Sequence, residues 1–211
     1  MVVPLDGIRA IHNAFRKDIR AIDDAAKDAV RTKGNTEHVL KRYIFLNDIL
    51  VWHADGEEDY VFPAVEKVAP LVAESYQRDH RGLDTLFESL DKAVNSPEVI
   101  DIARTASAFR FFLNFHLDKE EAHLYRIFNE RVSLPDQASI IGKMSQKIPQ
   151  QRFPEAVTWL FPLLEIDDRE NMTRMWKQAL PEPAFTMVKG LIRSAIGNEW
   201  IELAQRIPEL A

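Results

Sequence analysis

Apolar side chains recur every three or four residues along most of this chain, which is the spacing of one face of an α-helix. Runs that alternate between polar and β-branched residues, as half-buried strands do, are not found, and only seven of the 211 residues are glycine. The pattern therefore predicts an all-α protein. Turn signals divide the first part of the chain into four long helices, near residues 6–32, 36–68, 71–94 and 97–132.

Short connections separate these four helices. They are Gly34-Asn35, Ala69-Pro70 and Asn95-Ser96-Pro97, where Ser96 is suited to cap the fourth helix and Pro97 to occupy its first position. Long helices joined by short connections pack most simply with each one antiparallel to the last. We therefore predict an up-down-up-down four-helix bundle and assign it to residues 1–134.

The pattern changes after Leu134-Pro135. Residues 135–211 form shorter helical stretches interrupted by prolines, and they contain three of the four tryptophans but no histidine. We predict a C-terminal helical subdomain of unknown role, whose apolar faces need a surface to cover. The chain's own bundle is the expected surface, and a second copy of the chain or another protein partner is the alternative.

Charge and composition narrow the classes of function. The chain has 27 Lys and Arg against 33 Asp and Glu, a net charge of −6, which disfavours binding to nucleic acid or to an anionic membrane. The longest uncharged stretch, residues 156–164, is far shorter than the roughly 20 apolar residues that span a bilayer. With no secretory signal at the N-terminus either, we expect a cytoplasmic protein.

The chain has no cysteine, so any bound metal must be held by histidine and carboxylate. Each predicted bundle helix carries an inward-facing histidine: His12, His53, His80 and His116. Counting residues from the predicted turns places them at similar heights. His12 lies 22 residues before Gly34, for example, and His53 lies 19 residues after it.

Two glutamates complete the constellation. Glu57 and Glu120 each follow a histidine by four residues, which places a carboxylate one turn from an imidazole on the same helix face. Two imidazole pairs and two carboxylates able to bridge suit a pair of divalent ions, and the share of oxygen ligands favours iron or manganese over zinc. His38 is too far along its helix to reach this layer. His123, seven residues after His116, is either a further ligand or a structural residue.

The segments that carry this constellation resemble the hemerythrin-like (HHE cation-binding) domains over roughly residues 5–132. They are Ile11-His12-x-x-x-Arg16, His53-x-x-x-Glu57-Glu58-x-x-x-Phe62-Pro63, Asp79-His80-x-x-Leu83 and His116-x-x-x-Glu120-Glu121. The resemblance implies a non-haem di-iron centre, with His12 and His53 toward one iron, His80 and His116 toward the other, and Glu57 and Glu120 bridging. Ferritin-like proteins use Glu-x-x-His on two helices. Only Glu120-x-x-His123 fits that order here.

The sequence departs from the oxygen-carrying hemerythrins, which have two histidines one turn apart on the third helix. Here Tyr76 lies one turn before His80, and Asp84 lies one turn after it. Reversible oxygen carriage is thereby disfavoured, and Tyr76 and Asp84 are either ligands or residues that support the ligands.

Two functions follow as expectations. The first is a redox protein whose iron pair binds or reduces dioxygen, peroxide or nitric oxide. The second is an iron- or oxygen-sensing regulator, in which metal-dependent stability controls a protein interaction. Iron-sensing ubiquitin ligases are similar in carrying hemerythrin-like domains, although no ligase module is recognisable here. No nucleotide-binding or nucleophile motif indicates another enzymatic activity, and whether the protein is an enzyme stays open.

Overall fold

The structure, a computed structural model, describes residues 3–34, 36–94 and 98–210. All regular elements in these residues are helical, which confirms the predicted all-α class. The predicted turn residue Asn35 and the predicted cap at Ser96 and Pro97 lie outside the described residues.

The first part of the chain closely follows the predicted helix pattern, with one addition. Helices α2 and α5 each continue through a π-helical segment of five residues into a further α-helix. The bounds are α1 Pro4–Thr32, α2 Glu37–Gly56, the first π segment Glu57–Val61, α3 Phe62–Val68, α4 Ala73–Val94, α5 Val99–Lys119, the second π segment Glu120–Leu124 and α6 Tyr125–Arg131.

Helix α1 ends at Thr32, where the sequence predicts. Lys33 takes the left-handed conformation, with φ at 52°, and the backbone N–H of Gly34 donates to the carbonyl of Ala29 at 3.0 Å. This bond satisfies one of the carbonyls that a helix C-terminus leaves without an intrahelical donor.

The chain forms two compact units, residues 15–132 and residues 1–14 with 133–211, and the boundary between them falls within α1. In the unit of residues 15–132, Arg16 pairs with Asp118, and Asp23 pairs with Arg110. As α1 advances, its partners on α5 therefore come from earlier positions, so these two helices run antiparallel.

Aromatic contacts give the same result for α2 and α4. Tyr43 stacks on Phe87 with ring centroids 4.9 Å apart, and Phe62, beyond the first π segment, stacks on His80 at 5.3 Å. Phe15 contacts His53 and Asp18 pairs with Arg42, so α1 and α2 are antiparallel too. The four long helical stretches thus alternate in direction, as predicted. The fully buried residues between them come from the apolar positions of the helical repeat, among them Phe15, Ile19, Leu46, Phe109, Leu113, Leu117 and Phe128.

The other compact unit contains the C-terminal helices. They are α7 Leu134–Ser145, α8 Phe153–Leu163, α9 Ile166–Ala179, α10 Glu182–Ile196 and α11 Trp200–Arg206. Helix α7 begins with Ser133, whose hydroxyl accepts from the backbone N–H of Asp136, and Pro135 lies in its first turn.

These C-terminal helices have an apolar core of their own. Phe161, Ile192 and Leu203 are fully buried in it, together with Ala10 and Ala14 from the first turns of α1. Gly7 lies so close to α9 that a Cβ at this position would be 2.7 Å from Cε of Met175. The apolar faces of residues 135–211 thus cover one another and the beginning of α1. Within the described residues, no helix has both the length and the apolar character needed to cross a membrane.

Candidate metal centre

Six ionisable side chains of the bundle helices are almost completely removed from solvent. The exposed fractions are 0% for His12, 8% for His53, 0% for Glu57, 5% for His80, 3% for His116 and 0% for Glu120. Buried carboxylates are costly unless positive charge or hydrogen bonds compensate for the lost hydration. The two buried carboxylates, Glu57 and Glu120, therefore need a compensating positive charge.

The six predicted ligands form two groups. His12, His53, Glu57 and Glu120 make one group, and Glu57, His80, His116 and Glu120 make the other. In each group, one ligand atom from every residue lies within 4.8 Å of the others. Glu57 and Glu120 belong to both groups, so each carboxylate has an imidazole pair on either side.

The distances within these groups come from short helical steps and from contacts between helices. Glu57 Oε1 lies 3.3 Å from His53 Nε2 one turn earlier, and Glu57 Oε2 lies 3.3 Å from His80 Nε2 on α4. Glu120 Oε1 lies 3.3 Å from His116 Nε2 and 3.8 Å from His80 Nε2. The nitrogen and oxygen atoms converge on the space between the helices.

This arrangement fits divalent cations. Glu57 Oε2 and His80 Nε2 are buried and face each other, yet neither atom has a hydrogen-bond partner among the described residues. Imidazole nitrogens and carboxylate oxygens typically bind such ions at about 2.0–2.2 Å. Two ligand atoms on opposite sides of one ion are therefore separated by about twice this distance. A cation at the centre of a group could bind the nitrogen and oxygen atoms of that group together. Two nitrogens and two oxygens in each group are a donor set suited to iron or manganese.

The two shared carboxylates have opposite electrostatic properties. Burial by itself would raise the pKa of Glu57, but His53 and His80 outweigh this effect and hold it well below its ordinary value. Burial raises the pKa of Glu120 well above its ordinary value, and the nearby charge of Glu57 raises it further. The protein groups alone thus favour one ionised carboxylate, and two ionised carboxylates need additional positive charge.

A second layer of side chains orients the inner ones. Glu58 Oε1 lies 2.8 Å from His80 Nδ1, and Asp79 Oδ2 lies 3.6 Å from His116 Nδ1. The Lys119 ammonium donates to the same Asp79 oxygen at 2.6 Å. The Glu58 carboxylate at Nδ1 orients the His80 ring and leaves its Nε2 to face the centre of the bundle.

Tyr125 is part of the site, although no sequence pattern indicates it. Its buried hydroxyl donates to Glu57 Oε1 at 2.5 Å. Burial and the charges of Glu57 and Glu120 raise the pKa of Tyr125 well above its ordinary value, so the phenol keeps its proton. In an uninterrupted α-helix Tyr125 would not share the face of Glu120, since it follows that residue by five positions. No sequence periodicity therefore indicated it.

The two π segments explain this position. Each begins at a predicted bridging glutamate and contains one more residue per turn than an α-helix. Five residues after Glu57 the inner face is occupied by Phe62, and five residues after Glu120 it is occupied by Tyr125. The extra residue also turns His123 outward, and its side chain is exposed. His123 belongs to neither ligand group.

The two positions that depart from the oxygen carriers have different environments. Tyr76 is buried, and its hydroxyl donates to the backbone carbonyl of Lys119 at 3.3 Å. Burial raises the pKa of Tyr76 to about 12, with a further contribution from Glu120. Asp84 is exposed and belongs to neither ligand group. His38 is exposed near the start of α2, as expected.

A cavity of about 40 Å³ leads to the histidines from between α2 and α4. Its inner wall includes His53, Glu57, His80 and His116, and Asp84 is among the residues toward the surface. This volume is enough for two or three water-sized groups.

The bundle and its paired histidines around two shared carboxylates define a class of helical cation-binding domain. The chain belongs to the Hemerythrin HHE cation binding domain family, whose family model matches residues 3–128. The resemblance noted from the sequence motifs is thereby confirmed.

The chain is also similar to longer plant proteins. It is 26% identical over 147 residues to "Zinc finger protein BRUTUS" of Arabidopsis thaliana, a match that covers 67% of this chain and 12% of that protein. It is 22% identical over 180 residues to "Zinc finger protein BRUTUS-like At1g18910" of the same plant, covering 81% of this chain and 14% of that protein. The chain thus spans about an eighth of the length of these relatives. No solved structure matches the chain.

Proposed function

We propose that this protein holds a pair of non-haem iron ions and that the pair binds or reduces a small oxidant, such as dioxygen, peroxide or nitric oxide. The observation that carries the proposal is the sharing of Glu57 and Glu120 between two histidine pairs. Carboxylates placed between two imidazole pairs are suited to bridge two cations, whereas a single cation would use only one of the pairs.

In this proposal His12 and His53 would hold one ion and His80 and His116 the other, with Glu57 and Glu120 as the bridging ligands. Manganese is the alternative metal, since it prefers similar nitrogen and oxygen donors. A bound ferrous pair would supply electrons to an oxidant, and six protein ligands shared between two ions would leave coordination positions for it.

The protein side chains have defined roles around such a pair. Glu58 holds His80 by its Nδ1 atom, which keeps Nε2 directed inward, and Asp79 places a carboxylate oxygen 3.6 Å from Nδ1 of His116. Tyr125 donates to Glu57 and limits how much negative charge that carboxylate offers. The inner side chains are buried, and the small cavity between α2 and α4 gives access to them. These features favour a small ligand over a large substrate.

The environment of Tyr76 favours reactivity over oxygen carriage. A protonated tyrosine that bonds to a backbone carbonyl stands where oxygen carriers have a further histidine ligand. We therefore propose that the reduced protein reacts with dioxygen or peroxide without forming a long-lived, reversible oxygen adduct.

Two measurements test this function. Elemental analysis of the purified protein should give two irons per chain, and optical spectra of the reduced protein should change on exposure to air, peroxide or nitric oxide. Zinc as the metal bound at full occupancy, or spectra unchanged by all three oxidants, would contradict the redox proposal. An oxygen complex that reverses on evacuation would instead restore the carrier function.

The alternative is a regulatory iron or oxygen sensor. Two fully buried carboxylates favour it, because loss of the metal would leave negative charge in the bundle interior and loosen the helices. The matches to much longer relatives are compatible with a domain that acts through other parts of a protein. Oxidant-dependent spectra, together with proteolysis of the apo and iron forms, separate the two functions. A sensor should become more sensitive to cleavage on metal loss without a spectral response to oxidants, whereas a redox protein should show that response whatever the change in cleavage.

A further inference from the structure

The two halves of the bundle share a sequence pattern but differ in their outer contacts. Each half has the pattern H-x-x-x-E-E, which ends in Glu58 in one half and in Glu121 in the other. Glu121 accepts a hydrogen bond from Arg16 on α1 at 2.8 Å, whereas Glu58 lies 2.8 Å from His80 Nδ1 on α4. The same glutamate position therefore faces a permanent cation on one side and a histidine ring on the other.

The two helices that face these glutamates, α1 and α4, differ at the residue four positions after their predicted ligand histidine. After His12 this residue is Arg16, which also donates to Asp118 at 2.7 Å and so neutralises the carboxylates on the α1 side. After His80 it is Asp84, which adds a carboxylate on the α4 side. The two sides of the candidate centre thus carry opposite charges at equivalent positions.

Other carboxylates add to the negative charge around Asp84. Burial is the main cause that raises the pKa of Asp84, and His80 opposes it. The negative charges of Glu58, Glu88 and Asp55 raise the pKa further. These groups create a negative potential on this side of the bundle, which attracts cations from solution.

The cavity between α2 and α4 opens at this negative surface. Asp84 is the charged residue of its outer wall, and deeper in the cavity are Glu57 and His80. These two inner residues are 0% and 5% exposed, and Glu57 Oε2 and His80 Nε2 have no hydrogen-bond partner among the described residues. The cavity thus has a carboxylate at its mouth and, at its inner end, metal-ligand atoms without a hydrogen-bond partner among the described residues. These two features suit a path for a cation.

We propose that this cavity is the route by which divalent cations reach the candidate centre, and that Asp84 attracts and positions the incoming ion. The inference rests on the proposed function, because it requires that the inner residues bind metal. Asp84 is exposed and is not a member of either ligand group, so its role concerns the rate of loading and not the final affinity.

Loading of the full-length apo protein with Co²⁺ tests the proposal, because the visible absorption of protein-bound cobalt reports binding in a stopped-flow experiment. Asp84→Asn should slow uptake about three- to tenfold at low ionic strength, as expected for one carboxylate acting on a divalent ion at close range. The difference should shrink at high salt. The final cobalt content should equal that of the parent protein.

Asp118→Asn is the matched control. It removes the same charge from an exposed position on the α1 side, where Glu121 still holds Arg16. Its uptake rate should equal the parent rate. Equal slowing in both variants would show an effect of net charge alone, and unchanged uptake in Asp84→Asn would show that cations enter elsewhere. Either result would overturn the route.

Two further outcomes separate this inference from the proposed function. A lower final cobalt content in Asp84→Asn would make Asp84 a ligand and overturn its role on the route, while leaving the metal centre in place. A parent protein that binds no cobalt, iron or manganese would overturn the proposed function and this inference together.

Nitric oxide binding to the iron-loaded protein should be equally fast in Asp84→Asn and the parent, since a neutral ligand does not respond to the charge. Slower binding of this ligand would contradict the electrostatic role.

Discussion

Glu57 is the residue on which most of the centre's contacts converge. His53 reaches it from one turn earlier, His80 reaches it from α4, and Tyr125 donates to it from beyond the second π segment. The imidazoles stabilise its negative charge, in contrast to Glu120, whose pKa is raised by burial and by Glu57 itself. The two glutamates are therefore equivalent in sequence pattern but not in electrostatics.

Replacing either glutamate with glutamine should lower the metal content. We expect Glu57→Gln and Glu120→Gln to bind one iron per chain or none, because a neutral amide is a weak ligand for these ions and provides no bridging charge. Elemental analysis of each purified variant measures this. His38→Ala, at an exposed position near the start of α2, should keep the parent content. Two irons per chain in both glutamine variants would exclude the bridging roles.

Tyr125→Phe should keep the metal but change its properties. Losing a hydrogen bond to a charged group costs roughly 1.5–3 kcal/mol, and Glu57 would offer more negative charge to the centre. We expect a lower melting temperature and a shifted optical spectrum at unchanged metal content.

Tyr43→Phe is the control for that change. Tyr43 is 2% exposed, and its hydroxyl has no hydrogen-bond partner among the described residues, so its removal should be nearly neutral for stability. If both variants lose the same stability and keep the parent spectrum, the hydroxyl of Tyr125 has no specific role.

Asp23 provides a test of pH dependence away from the metal. Burial opposes its ionisation, but hydrogen bonds from Lys27, Ser107 and Arg110 outweigh this effect and lower its pKa below the ordinary 3.8. A carboxylate with a lowered pKa stabilises the fold above its unfolded pKa, and this contribution is lost as the pH falls through the folded value. Asp23→Asn should therefore be less stable by about 1–3 kcal/mol at pH 7.

The difference between the apo parent protein and apo Asp23→Asn should shrink as the pH falls from about 5 to below 3. Urea unfolding of both proteins at a series of pH values measures it. A difference that stays constant over this range would mean that Asp23 acts by shape or packing and not by its charge.

At the scale of the element, the π segments distinguish this bundle from four plain helices. Pro63 follows the first segment and removes one backbone donor there, but the equivalent position after the second segment is Arg126, which keeps its N–H. Proline is therefore not their common cause. Both segments begin at a shared glutamate of the two ligand groups, in agreement with the frequent occurrence of π-bulges at functional sites.

Removing the extra residue of the second segment should separate stability from metal binding. Deletion of Ala122, which is exposed, would bring Tyr125 to four positions after Glu120 and so keep it on the inner face of a regular α-helix. We expect the apo protein to remain helical and to melt at the same or a higher temperature, with weaker metal binding because Glu120 is reoriented. Circular dichroism and elemental analysis measure the two effects.

The control deletes Ala108, an exposed residue within the regular part of α5. This deletion rotates all later positions of the helix by about 100° and moves its apolar residues off the core face, so the protein should unfold or aggregate. Equal damage from both deletions would show that the second π segment has no special tolerance.

The helix boundaries could be predicted from the sequence, because turn residues and apolar periodicity are local signals. The π segments could not, since the apolar spacing stays regular on each side of the extra residue and only the relative phase of the two sides changes. His123 shows the consequence. Its position relative to His116 allowed either a further ligand or a structural residue on the inner face, but the π segment turns it toward solvent.

At the scale of the whole molecule, metal binding should be linked to stability. Without cations, the buried carboxylates Glu57 and Glu120 can lower their cost only by protonation or by local opening. We expect the apo protein to melt at a lower temperature than the iron form, by an amount that increases with free metal concentration. Calorimetry of both forms with verified metal content measures this. Equal melting temperatures would contradict the buried site and the sensor alternative.

The sequence by itself determined the helical class, the family and the convergence of six side chains. A fixed rise per residue makes heights in antiparallel helices countable from the turns, so His12, His53, His80 and His116 were expected in one layer. Only the tertiary structure decided which side chains surround that layer. Glu58, Asp79 and Tyr125 reach it across helices, through contacts that no local periodicity encodes.

The same reason applies to the organisation of the chain. The sequence indicated a change of pattern near residue 134, and the division into residues 1–134 and 135–211 stays a prediction. The compact unit that contains the C-terminal helices also includes residues 1–14, and with them the first part of α1. Which apolar faces meet depends on the packing of residues more than a hundred positions apart, such as Ala10 and Phe161, and this packing is fixed only when the chain folds.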